Sequence, residues 1–79
     1  MSESRMNLIF DKIGISCFCV YNGERYLGDV VFGIDCGWVY DSMDSYGYFT
    51  SPFLRAVADK LDELNAELFK EFPDAKVWT

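Results

Sequence analysis

The stretch Cys17-Phe18-Cys19-Val20-Tyr21-Asn22-Gly23-Glu24-Arg25-Tyr26-Leu27-Gly28-Asp29-Val30-Val31-Phe32 decides the fold. Asn-Gly between runs of alternating apolar residues is the strongest short hairpin signal, because a type I′ turn needs φ > 0 at both central positions. With Asn22-Gly23 central, Tyr21 pairs with Glu24, Cys19 with Tyr26, Cys17 with Gly28, Ile15 with Val30 and Ile13 with Phe32. That face is largely apolar and is the expected inner one. The other carries Val20 with Arg25, Phe18 with Leu27, Ser16 with Asp29 and Gly14 with Val31, a mixture suited to partial exposure.

Beyond the hairpin, Asp35-Cys36-Gly37 reads as a turn or bulge, Trp38-Val39-Tyr40 as a short strand, Asp41 to Ser45 as a loop, and Tyr46 to Phe49 as a further short strand. Gly14, Gly28 and Gly33 lie inside strand patterns and mark bends or close backbone approach. The clearest helix runs from Pro52 to Glu71. Ser51 is a good N-cap, Pro52 suits the first helical position, and Leu54, Val57, Leu61, Leu64, Leu68 and Phe72 recur at three- and four-residue spacing. Pro73 ends it. The apolar stripe needs cover, and the hairpin is the large candidate. The expected fold is α+β: a small antiparallel sheet of three to four strands, with an N-terminal hairpin, covered on one face by a single C-terminal amphipathic helix. Lys76-Val77-Trp78 either adds an edge strand or packs back on the helix.

At 79 residues the chain is one small domain, residues 1–79, near the lower limit for a self-sufficient core. A hydrophobic content of 51% excludes a disordered polar tail. No apolar run is long enough to span a bilayer and no basic n-region precedes one, so a soluble cytoplasmic protein is expected. Against 7 Lys+Arg stand 13 Asp+Glu, a net charge of −6 that repels phosphate backbones and attracts basic surfaces. Histidine is absent, which removes the commonest general acid/base and nitrogen metal ligand. An odd count of 3 cysteines fits a reducing compartment better than a disulfide framework.

Cys17 and Cys19 share a strand face and, with Cys36, would give three thiolates, but a closed zinc site needs a fourth protein ligand and none stands in recognisable position. Small buried hydrophobes are the better description. Asp41, Asp44 and Gly47 lack the spacing of a calcium loop. No nucleophile elbow, phosphate-binding loop or dinucleotide fingerprint is present, so neither enzymatic activity nor a cofactor or metal is expected.

Charge layout carries more information. Between Arg25 and Arg55 there is no Lys or Arg, and Asp29, Asp35, Asp41 and Asp44 are interleaved with Trp38, Tyr40, Tyr46 and Tyr48. On the helix, Asp59, Glu63, Glu67 and Glu71 fall at successive i, i+4 positions, a like-charged ridge that costs a few tenths of a kcal/mol per pair. Carboxylates so spaced form a coarse match to successive phosphates and suit a channel that binds nucleic acid. In length, acidic balance, basic-free Tyr26 to Leu54 stretch and helical ridge, the chain resembles in overall type the small acidic inhibitors encoded by phages, among them DNA-mimic anti-restriction proteins and anti-CRISPR proteins. The resemblance implies a non-enzymatic inhibitor, acting in the host cytoplasm, that binds a nucleic-acid-handling complex. Asp41, Asp44, Asp59, Glu63 and Glu67 are then the expected electrostatic contacts, and Trp38, Tyr40, Tyr46 and Tyr48 the expected anchors. The expected partner is a basic protein surface, not nucleic acid or membrane. The alternative is a structural or homodimeric module that pairs a sheet edge or the Phe18/Leu27/Val31 face with another copy.

Overall fold

A computed structural model describes residues 7–43 and 49–78. Four strands, β1 (Ile9–Lys12), β2 (Cys17–Asn22), β3 (Arg25–Gly33) and β4 (Gly37–Ser42), are followed by one helix, α1 (Ser51–Glu71). The strands form an antiparallel sheet in the order β1-β2-β3-β4, and α1 covers one face. The α+β class is as expected. The register inside it is not.

The tight turn sits one residue later than Asn22-Gly23. Asn22 pairs with Arg25, so Gly23 and Glu24 are central, and Gly23 alone has φ > 0, at 65°. One positive φ at the first central position is the type II′ pattern. The register then shifts: Tyr21 pairs with Tyr26 but Val20 with Gly28, leaving Leu27 as an extra residue on β3. Because side chains alternate with a period of two, the extra residue turns the rest of β3 over. Phe18 now faces Val30 and Cys19 faces Asp29. The inner face is therefore Phe18, Val20, Val30 and Phe32, with Trp38 and Tyr40 from β4, and the expected inner face of Cys17, Cys19 and Tyr21 is the outer one. The step joins the bulky apolar residues of both strands on one side, which the straight register does not.

Gly28 follows the extra residue, and a Cβ there would lie 2.5 Å from the Asp41 carbonyl and 2.7 Å from the Tyr40 hydroxyl. Only glycine lets β4 come this close. The Tyr40 hydroxyl donates to the Leu27 carbonyl at 3.0 Å, and the Met43 amide to the same oxygen at 3.3 Å. Both ends of the expected first strand also differ. Ile13 to Ser16 is a turn, with Gly14 at φ 118°, and the chain ahead of it returns as β1. Ile13 and Ile15 are accordingly exposed instead of paired. Asp41 and Ser42 belong to β4 instead of a loop, and Phe49 is not in a strand, while residues 46–48 of that expected strand lie outside the described residues.

Thr50, one residue before the expected Ser51, caps α1 by accepting from the Phe53 amide at 3.4 Å. Phe72, turned out of the helical region to φ −133° and ψ 83° before Pro73, ends it. The buried core is Val20, Val30, Phe53 and Val57. Phe53, not Leu54, is the first inward residue; its ring meets Tyr40 edge-on at 5.6 Å and stacks on Phe49 at 5.5 Å. Leu54 and Phe72, expected on the inner stripe, are more than half exposed. Asn65 joins the helix to the sheet edge: Oδ1 accepts from the Trp38 amide at 2.9 Å and Nδ2 donates to the Trp38 carbonyl at 3.4 Å. One side chain thus does for Trp38 what a fifth strand would do. After α1 the chain returns toward β4, and the Trp78 amide donates to the Cys36 carbonyl at 2.8 Å without forming a strand.

These contacts rank substitutions. Phe53→Ala is expected to cost ~3–5 kcal/mol, and Leu54→Ala to stay within ~0.5 kcal/mol. Asn65→Ala, which leaves two backbone groups of Trp38 unpaired, is expected to cost ~1–3 kcal/mol. Urea unfolding of the three variants checks the order.

Candidate functional site

The two layers divide the residues expected to form one acidic, aromatic surface. Trp38 and Tyr40 face the helix. The Trp38 ring lies 5.6 Å from both Phe18 and Phe32, the Tyr40 ring lies against Phe53, and both residues are half-buried. Their rings are therefore part of the packing between sheet and helix. Asp59, Glu63 and Glu67 are exposed on the outer side of α1, whereas Asp41 is exposed on the uncovered face of the sheet. Those two surfaces look in opposite directions. Asp44, Tyr46 and Tyr48 lie outside the described residues.

The helical ridge is partly neutralised by its own neighbours. The Lys60 ammonium lies 3.1 Å from Glu63 and the Lys70 ammonium 3.6 Å from Glu67. Lys60 is further held inward, 4.9 Å from the centre of the Phe18 ring and 5.5 Å from that of Phe10. Its stem covers apolar surface while its charge reaches the ridge.

The uncovered sheet face is organised differently. Register places Asp11 opposite Cys19, Cys19 opposite Asp29 and Asp29 opposite Asp41, so one row crosses all four strands and carries three carboxylates. On one side of it run Ile9, Tyr21 and Tyr26, and on the other Cys17, Val31 and Val39. The result is an acidic band between two apolar bands. No Lys or Arg occupies a register position on this face among the described residues. Asp29 and Asp41 stand directly opposite each other, an arrangement of like charges that is unfavourable by ~0.2–1 kcal/mol. Tyr26 offsets part of this by donating its hydroxyl to Asp29 Oδ1 at 2.6 Å, and the Tyr21 ring lies 5.6 Å away, tilted against it. Sequence reasoning missed Asp11, Tyr21 and Tyr26, and named Asp29 only as part of the acidic stretch, because their convergence depends on the step at Leu27, beside which Gly28 is the local sign.

The same arrangement decides what the thiols do. All three cysteines are free. Burial pushes the Cys17 thiol up, helped by the Asp29 charge; burial, then hydrogen bonding to Asp29 and the nearby acids, pushes Cys19 up. Thiols held protonated make poor nucleophiles and poor metal ligands. Among the described residues no group of three or more Cys, Asp or Glu side chains is placed to hold a metal ion, and no helix is long and apolar enough to cross a membrane. No family model, curated protein or solved structure matches the chain.

A pH dependence follows from the band. The bond to Asp29, with partial burial and the Asp29 charge, raises the Tyr26 phenol well above its ordinary 10.0, and the two thiols lie above their ordinary 9.0. The folded state favours the protonated forms, so their contribution is complete below pH 9.0 and is lost as pH rises through the thiol and then the phenol range. Urea midpoints are expected to hold from neutral pH to about 9 and to fall above it. In Tyr26→Phe the part of the fall that begins near 10.0 shrinks to the contribution of Tyr40, whose phenol burial also raises.

Proposed function

We propose that the protein is a non-enzymatic inhibitory binding protein that lays the uncovered face of its sheet on a basic surface of another protein, of the kind that holds nucleic acid. The observation that carries this reading is the acidic band, in which Asp29 and Asp41 oppose each other with no Lys or Arg at a register position of this face among the described residues. A cationic partner relieves that repulsion. Tyr21, Tyr26 and Ile9 on the flank supply the apolar contact area that an interface needs around its charges. Nucleic acid itself is an unfavourable ligand, since its phosphates meet the same carboxylates. The outer side of α1, with Asp59, Glu63 and Glu67, is a second acidic surface of lower net charge, because Lys60 and Lys70 pair into it. Mimicry of a nucleic-acid strand, the inhibitor-type role inside a bacterial host, rests on the same band.

Self-association is the competing reading, favoured by the half-exposed apolar rows beside the band. Two copies stacked by this face would bring Asp11, Asp29 and Asp41 of one against those of the other. Such a dimer would be weakest at low salt, where like charges are least screened, and a complex with a basic partner strongest there.

The test is retention of partners from bacterial lysate on the immobilised protein, eluted by a salt gradient with and without competing DNA. The expected result is a nucleic-acid-binding protein that elutes at moderate salt and is displaced by DNA. Asp11→Lys combined with Asp41→Lys should weaken its retention by about tenfold or more with an unchanged circular dichroism spectrum. Glu63→Lys with Glu67→Lys should have a smaller effect. The reverse order would place the contact on the helix, and retention of the protein's own copies alone would favour self-association.

A further inference from the structure

A second surface lies at the end of the molecule where α1 stops. The turn between β3 and β4 and the chain after α1 enclose an open cleft of about 520 Å³, within the ~300–1,000 Å³ range of ligand sites. Its apolar part is Ile34, 83% exposed, and Phe72, 60% exposed. Around them stand Asp35, Glu71 and Asp74, against the single cation Lys76. No ion pair among the described residues engages the three acids. Trp78, 71% exposed, is fixed beside the cleft by the hydrogen bond its backbone amide donates to the Cys36 carbonyl. Ile34, Phe72 and Trp78 thus present apolar side chains to solvent at one end of the molecule.

Charge selects the occupant. A second copy docked symmetrically would set three carboxylates against three, and a phosphate-bearing ligand would meet the same repulsion. A segment with apolar side chains to cover Ile34 and Phe72 and with Lys or Arg at its margins satisfies both features. From this charge complementarity around an apolar floor, we infer that the cleft between Ile34 and Phe72 is a docking site for a basic amphipathic peptide segment of a partner protein. The inference rests on the basic-partner reading but assigns a surface separate from the sheet band.

The probe is a synthetic amphipathic helical peptide of Leu and Lys, titrated into the whole isotope-labelled protein, beside a permuted peptide of the same composition and a Leu/Glu counterpart. The expected result is saturable shifts of the Ile34, Asp35, Phe72 and Trp78 amides and a blue shift of Trp78 fluorescence with the amphipathic Leu/Lys peptide only. Ile34→Ser with Phe72→Ser, both on exposed positions, is expected to weaken binding about tenfold or more. Asp35→Asn with Asp74→Asn is expected to flatten its salt dependence. Shifts centred on Asp11, Asp29 and Asp41 would overturn the cleft while leaving the sheet band as the partner surface. Equal binding of the Leu/Glu or permuted peptide, unchanged affinity in the Ile34/Phe72 variant, concentration-dependent pairing of copies through these residues, or no binding would each overturn the cleft. None of these would disturb the DNA-displaceable retention by which the sheet band is judged.

Discussion

Between the Tyr21–Tyr26 pair and the Val20–Gly28 pair, the β2–β3 ladder gains one residue, Leu27, and that step determines which side chains share a face. Without it Val30 and Phe32 would stand with Cys17 and Cys19, and Phe18 and Val20 would stand with residues of the other set. With it, Phe18, Val20, Val30 and Phe32 point to α1 together, and Val20 and Val30 become fully buried. The step holds because its loose ends are used. The carbonyl of Leu27 accepts from Tyr40 and Met43, and Gly28 leaves room for β4 to approach. A β-bulge is thus a packing device here, and the strand it re-aims is the longest in the sheet.

Among the described residues one helix covers one face of four strands and nothing covers the other, which is left to meet water. The uncovered face does so with Asp11, Asp29 and Asp41 among aromatic and small apolar residues, and the Tyr26–Asp29 bond keeps its most enclosed carboxylate partnered. Among the described residues the buried apolar side chains are Val20, Val30, Phe53 and Val57. A domain of this size has little stability in reserve. Polar joints therefore carry more weight than in a larger protein. Asn65 closes the β4 edge at Trp38 with both ends of one amide, linking layers that otherwise meet through few buried side chains.

Much of this architecture was legible in the sequence. The helix, expected from Pro52 to Glu71 and found from Ser51 to Glu71, the glycine-containing hairpin and the strand at Trp38 follow from periodicity, proline signals and turn chemistry, all local properties. What could not be read was phase. The alternation around Asn22-Gly23 fits two registers, and choosing between them needs the contacts of Val30 with Phe18 and of Tyr40 with Leu27, which are set by tertiary packing. The same limit explains Leu54 and Phe53: both suit a helical stripe, and the contact with Tyr40 selects one. The acidic candidates were visible as residues, but their division between two opposite surfaces, and the addition of Asp11 and Asp29 to one of them, depend on which strand faces which.

The sheet is a meander in which every strand pairs with its successor, while the layer that covers it comes last in the chain. Synthesis therefore delivers all four strands before the helix that buries Val20 and Val30. Until α1 emerges, the nascent sheet has no cover on either face and lacks the amide that closes the β4 edge, so it is open both to premature pairing with other strands and to recruitment of chaperones. Local strand pairing makes closure fast once the helix is free, because little loop entropy remains to be lost. The order of elements along the chain thus confines the aggregation-prone interval to the time before α1 has emerged.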